Sequence, residues 1–479
     1  MRRSHNLILP WVVATFGAFG TEIWAQTSAP ISDGPLVGAV TDQSAKIFVR
    51  VGGANPSVTV QIDFSTDATF ETLASTETAT VTSSTDRTAI LSLTGLSENT
   101  LYYFRIVTNG ARPPTTGGVG SFQTLPPATG GKWCFAVIAD CAAIASNPKV
   151  VTSVYTAIAN LTGDLRPQFV VQIGDLDHSD PGGSASKPNV NTLQAARNMH
   201  RDARGPNRRG SANNQIGTYF SQFVQRNFPV EHIWDDHDYG YNDADSTFAY
   251  RSQAWRAFLE YWPTHDLPRD PRIYPDGGLW RSIPFGPADV LVLDERSQHV
   301  GLQGASPTML GSAQTDWLNS SLKATATTRW HILLSPQVFN PTAKATSAWG
   351  AYGAERNALL TTAQANGVRN LLVISGDLHS GGALDDGTNT GIGGNPGPPE
   401  VSVPHTNMQQ GFDTFASNEN AGSWSHTYIQ GNVGNPGFVL VRIDETVIPA
   451  TLTLEIRDQN GNIRQNGTGS PMQLVVTKK

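Results

Sequence analysis

Five short apolar runs in this chain stop on acidic residues, and this pattern restricts the fold more than any other feature. Residues 133–139 run into Asp140 and Cys141, and residues 169–173 run into Gly174 and Asp175, with Asp177, His178 and Asp180 just behind. Residues 229–234 run into Asp235, Asp236, His237 and Asp238. Residues 289–293 stop at Asp294, and residues 370–374 stop at Ser375, Gly376, Asp377, Leu378 and His379. Mostly apolar runs of this length suit strands buried on both faces. Helical patterns lie between them. Ser146 and Pro148 mark a helix start, and Val151, Val154, Tyr155, Ile158 and Leu161 follow at helical spacing. Residues 248–262, 314–323 and 354–365 read as further helices. Strand, acidic end and helix in alternation predict an α/β fold with a mostly parallel sheet and helices outside. Ligands of such sheets bind beyond the carboxyl ends of the strands.

Asp140, Asp175, Asp236, Asp377 and His379 all fall at those ends. Carboxylates crowded together repel unless a cation sits among them. Asp and His side chains are oxygen and imidazole donors, which suit Mn, Fe, Zn, Mg or Ca. Two ions sharing a carboxylate, roughly 3.5–4 Å apart, form a clamp suited to phosphoryl transfer. Asp175, at the centre of the set, is the expected bridge.

The rest of the chain reads differently. Residues 30–124 hold short alternating strands with no helical pattern between them, which predicts a β-sandwich. Residues 125–131 are a linker, and residues 132–479 form the larger domain. Residues 381–437 are rich in Gly, Pro and Asn and read as a long excursion, within which His405 and His426 are expected to be packing or surface residues. Residues 1–25 resemble an export signal: Arg2 and Arg3, an apolar stretch over 7–19, then Ala25. That stretch is shorter than the roughly 20 residues a membrane span needs, so no stable span is expected. Cys134 and Cys141 lie on one expected strand, roughly 23 Å apart when extended, so no disulfide joins them. The net charge of −7 and the scatter of Lys and Arg argue against a nucleic-acid partner. Arg201, Arg204, Arg208 and Arg209 form a local basic cluster, either a solvated loop or a lure for anionic substrates.

The order Asp140, Gly174–Asp175, Asp236–His237–Asp238 and Gly376–Asp377–Leu378–His379 resembles the metallophosphoesterases. The phrase Trp234 to Asp238, taken with Gly376 to His379, is similar to the alkaline phosphatase D (PhoD-like) family, as are Leu293 to Arg296 and residues 310–318. Residues 95–102 resemble the loop and tyrosine corner of fibronectin type III domains. The resemblance implies a metallophosphoesterase-type α/β sandwich preceded by a small fibronectin III-like β-sandwich. It implies an exported hydrolase of small phosphate esters, monoesters or diesters, that uses a water activated by two or more divalent or trivalent ions (Fe, Mn, Zn or Ca).

By position, Asp140, Cys141, Asp175 and His379 would hold one ion, and Asp175, Asp236 and Asp377 the other. His178 joins the metal candidates. His237 would give a proton to the leaving group, with Asp238 orienting its ring. Arg296 and Asn242 are the candidates for substrate contact. Three positions depart from the usual pattern. His178 stands where the family usually has a tyrosine, Ala142 stands where many relatives carry a histidine, and Ser335 ends a strand where a histidine is expected. A phospholipase D-like diesterase is one alternative. A secreted binding protein on a degenerate phosphatase scaffold is another.

Overall fold

The computed structural model describes residues 28–112, 118–141, 148–176, 191–204, 216–273, 277–407, 422–427 and 435–479. The expected export signal, Ala142, Asp177, His178, Asp180, Arg208 and Arg209 lie outside them.

The first eight strands are β1 (Ile31–Gly38), β2 (Ser44–Val51), β3 (Ser57–Ser65), β4 (Ala74–Ser75), β5 (Ala79–Thr82), β6 (Thr88–Thr94), β7 (Leu101–Thr108) and β8 (Val119–Gln123). They form two sheets, β1-β2-β6 and β4-β3-β7-β8, with β5 pairing β3. Every second residue of β2 and β3 points inward, which gives the buried rows Ala45, Ile47, Val49, Val51 and Val58, Val60, Ile62. The Tyr102 hydroxyl accepts the Ser97 N–H at 2.9 Å and pins the turn before β7.

Past residue 131 the chain builds a two-sheet sandwich. The next strands are β9 (Lys132–Cys141), β10 (Val170–Ile173), β11 (Val230–Ile233), β12 (Arg281–Phe285), β13 (Ala288–Val292), β14 (Trp330–Ser335) and β15 (Leu371–Ser375). They are followed by β16 (Ala383–Asp385), β17 (Glu400–Ser402), β18 (His405–Asn407), β19 (His426–Thr427), β20 (Gly437–Asp444), β21 (Thr451–Asp458) and β22 (Gln473–Thr477). One sheet runs β11-β10-β9-β20-β21-β22 with β18 added to β9, and the other runs β12-β13-β14-β15-β17-β16-β19. The helices are α1 (Pro148–Ala159), α2 (Leu193–Asp202), α3 (Ile216–Tyr219), α4 (Asp236–Tyr239), α5 (Arg251–Tyr261), α6 (Gly311–Ala324) and α7 (Gly353–Ala365).

The expected strand–helix alternation is present, but the single mostly parallel sheet is not. β9, β10 and β11 are parallel, whereas β20, from the tail, pairs antiparallel with β9 and brings β21 and β22 with it. Alternation along each strand explains the layering. Val290, Val292, Ile332, Leu334, Leu372 and Ile374 join the core shared with the first sheet. Leu291, Leu333 and Val373, on the opposite face, pack with Leu318 and Leu322 of α6 and Leu359 and Leu360 of α7. Between the sheets, Phe285 meets Trp133, Phe135 and Phe169 edge-on at 4.9–5.4 Å between centroids.

The N-terminal sandwich is fastened to the larger unit by charge. Asp86 accepts from Arg50, Arg201 and Tyr261, and Ala39 N–H donates to Glu231 at 2.8 Å. This corrects the reading of the basic cluster. Arg201 is committed to Asp86, and Arg204 is buried against the rings of Trp262, Phe48 and Tyr261. Neither presents a lure to solvent. Cys134 and Cys141 are both buried free thiols, as their spacing requires. No helix among the described residues is long and apolar enough to cross a membrane.

Candidate metal centre

The carboxyl ends of β9, β10, β11 and β15 converge on one edge where both sheets meet. The junction is backbone-tight: Asp140 N–H donates to Gly174 O (3.3 Å), Cys141 N–H to Asp175 O (2.6 Å), and Gly376 N–H to Ser335 O (3.1 Å). Glycine is needed at both Gly-Asp steps. Gly174 has φ +95°, and a Cβ there would lie 2.6 Å from Cβ of Asp235; a Cβ on Gly376 would lie 2.8 Å from Pro336 O. The residues after these turns are strained as well. Asp140, Asp175, Asp377 and His379 have φ of 52°, 56°, 55° and 51°. A left-handed conformation at a non-glycine residue costs of order 1–3 kcal/mol, and such outliers collect at functional sites.

Two groups of side chains result, with ligand atoms within 4.8 Å of one another in each. Asp140, Asp175, Asp377 and His379 form the first; Asp175, Asp236 and His237 form the second. Asp175 belongs to both. Nε2 of His379 lies 3.6 Å from Asp140 and 3.4 Å from Asp377. The N–H of His237 faces Asp175 at 3.3 Å and Asp236 at 3.0 Å, and Asp236 also accepts the Asp243 N–H at 2.7 Å. Asp140 and Asp175 are the buried floor, while His237 and Asp377 are partly exposed at the mouth.

The electrostatics fit cation binding. Burial works against ionisation of Asp236, but Arg296, His237, the Asp243 N–H and Lys344 outweigh it and hold this carboxyl well below its usual range. Burial, followed by the charges of Asp236 and Asp175, pushes Asp377 up despite Lys344. A buried set of carboxylates that oppose one another's charge, with an imidazole among them, is a donor set for hard or borderline cations. The residues present therefore fit metal ions.

The remaining candidates are in neither group. Cys141 is in neither group; burial pushes its thiol up to about 12, and the Tyr155 hydroxyl donates to it at 3.4 Å. Asp238 accepts the N–H of Leu176 (3.0 Å) and of Asp235 (3.3 Å), and its carboxylate closes the α4 cap. Arg296, expected at the substrate, is 3% exposed; its guanidinium is spent on Asp235 and on Asp236 at 3.6 Å. The strand end beside Asp235 is buried, so the charge is used inside. Asn242 is exposed and donates to Asp243 at 2.6 Å. His178 lies outside the described residues. His405 is buried, while His426 is partly exposed beside Ser425.

Two residues escaped the sequence reading. Lys344 donates from Nζ to Asp377. Gln337 donates to Asp235 at 2.6 Å. Neither sits in a motif, and both reach the edge only through the loop after β14.

Comparison with known proteins follows the same outline. A family model described as PhoD-like phosphatase matches residues 135–395, and one described as the N-terminal domain of PhoD-like phosphatases matches residues 19–126. Alkaline phosphatase D of Bacillus subtilis (strain 168) is 25% identical over 405 residues, which cover 74% of this chain and 65% of the relative. The match thus spans less than two thirds of that relative's length. A solved structure of PhoD superposes with a TM-score of 0.68 at 20% identity, covering 94% of this chain and 90% of the other. Purple acid phosphatase PPD1 from yellow lupin (Lupinus luteus) seeds gives a TM-score of 0.56 at 14% identity, covering 92% and 74%. At these identities the two structures report on the fold alone.

Proposed function

The chain belongs to the PhoD-like phosphatase family, and on that premise we propose that it hydrolyses small phosphate esters at the Asp175 edge. The observation that carries the reading is Asp175 itself, a strained and buried carboxylate common to both candidate groups. Asp140, Asp377 and His379 would hold one ion with it, and Asp236 the other. Ions held there would supply Lewis-acid stabilisation of the phosphoryl oxygens and a lowered pKa for the attacking water.

The chain's own part is positional. Strained turns fix the carboxylates before any ligand arrives, so little reorganisation is required at the moment of reaction. Water oxygen bonds to phosphorus as the bond to the leaving oxygen breaks, and one water proton ends on the alcohol. His237, at the mouth, is our proton donor to that oxygen; its ring also lies where it can complete the second group. We read residues 30–124 as a fibronectin III-like sandwich beside the catalytic domain of residues 132–479. From Arg2, Arg3 and the apolar stretch we read the protein as exported. The test is turnover of aryl phosphate monoesters and diesters by purified protein, before and after chelation. Chelator-sensitive turnover supports the reading, and none on either ester with Mn, Zn, Fe or Ca supplied removes it.

A further inference from the structure

Gln172 is the polar residue of β10, a strand otherwise apolar and buried along its length. A buried amide in such a place needs partners for its donor and for its acceptor. We propose that Gln172 and His232 are positioning residues for the metal centre: together they hold the Gly174 turn, and with it Asp175, in the orientation that serves both ligand groups. This inference rests on the reading of Asp175 as an ion ligand. Neither side chain belongs to either group, so both act through the turn.

Gln172 Nε2 donates to Gly174 O at 2.6 Å, and the Gly174 N–H donates back to Gln172 Oε1 at 3.2 Å. One side chain thus clasps both backbone groups of the residue before Asp175. Gly174 O and the Asp175 N–H belong to one rigid peptide plane, so the clasp orients the backbone from which the Asp175 carboxylate projects. The same carbonyl accepts the Asp140 N–H, which ties the end of β9 to this turn. His232, the partner of Gln172 on β11, fixes the amide. Its Nδ1 lies 2.5 Å from Gln172 Oε1. The Gly174 N–H can only donate, so the atom facing it is the amide oxygen, and Nδ1 must then carry the imidazole proton. Nε2 is left bare, buried and without a hydrogen-bond partner among the described residues. That suits a ring that burial keeps neutral. The ring also packs against Trp262 and Phe258, at 4.2 and 5.5 Å between centroids. Phenylalanine would serve that packing equally well; the Nδ1–H contact is what it would lack.

The experiment titrates manganese by calorimetry into chelator-stripped wild type, Gln172→Met, His232→Phe and His232→Asn, and follows urea unfolding of the same proteins. Removing a group that orients a metal ligand weakens binding by about 10–100-fold, the loss expected in Q172M and H232F. H232F keeps a ring against Trp262 and Phe258 and removes the bare nitrogen, so its unfolding should stay near that of wild type. H232N gives up the ring and should unfold more easily. Its amide N–H can replace Nδ1–H, so its manganese affinity should stay within about threefold of wild type. A packing role alone predicts the reverse order. The proposal is overturned by wild-type affinity in H232F, or by affinity that follows unfolding across the variants. The two His232 variants decide the matter where Q172M does not fold. Wild type that takes up no manganese overturns the proposal together with the metal reading. Wild type that binds manganese, with these shifts in the variants, and hydrolyses neither ester supports the proposal and counts against the phosphatase reading alone.

Discussion

Replacing Arg296 with methionine removes a buried guanidinium that faces both Asp235 and Asp236. Burial alone would work against its charge, but these two carboxylates hold it firmly protonated. Asp235 would keep the Gln337 amide at 2.6 Å, and Asp236 would keep the His237 and Asp243 N–H groups. Neither dipole set replaces a full charge at sites only 1% and 6% exposed. Removing one partner of a buried pair costs about 3–5 kcal/mol. We therefore expect R296M to lose about that much in urea unfolding of chelated protein. Asp235→Asn added to R296M removes the stranded charge and should return part of the loss, with a coupling of about 0.5–3 kcal/mol. A loss in R296M under about 1 kcal/mol would refute the buried-pair assignment. So would a raised KM in R296M with unchanged unfolding, which would return Arg296 to the substrate.

Two further outcomes test other parts of the site. Gly174→Ala forces a left-handed φ and a 2.6 Å contact with Asp235 on a new Cβ; it should cost about 2–4 kcal/mol by denaturant unfolding, and a cost near zero would mean that the turn can relax. Burial pushes Glu400, bonded to Ser375 and the Phe339 N–H, up to about 7 from an unfolded value near 4.5. Its raised pKa favours the fold below about 4.5, and that contribution is lost as pH rises through about 7. Glu400→Gln should therefore gain stability relative to wild type across that window, by on the order of 3 kcal/mol; a pH-independent difference would contradict the assignment.

What the sequence revealed and what it hid follow from range. The acidic strand ends were legible because each depends on a few neighbouring residues: an apolar run, a glycine, an aspartate. The helices α6 and α7 were legible for the same reason, each within a few residues of its observed ends. Pairings across the chain were not legible. β20 inserts beside β9 from about 300 residues away, so the antiparallel half of the first sheet left no local trace. Arg201 looked like exposed charge, a solvated loop or a lure for anions, because its partner, Asp86, lies far away in sequence. Arg296 follows an acidic strand end in sequence, yet its burial depends on Asp235 arriving from a different sheet. Cys141 sits beside Asp140 in sequence, but along a strand successive side chains point to opposite faces, and its thiol meets Tyr155 of α1. Lys344 carries no motif at all, and only the fold of its loop shows where the ammonium goes.

The central claim is that Asp175 joins two cation-binding groups into one hydrolytic site. Its most direct test is metal content measured together with aryl phosphate turnover in Asp175→Asn. The account predicts that the isosteric amide loses bound ions and at least about a thousandfold in kcat, equivalent to ~4 kcal/mol at the transition state. Full ion content with turnover near that of wild type would contradict it.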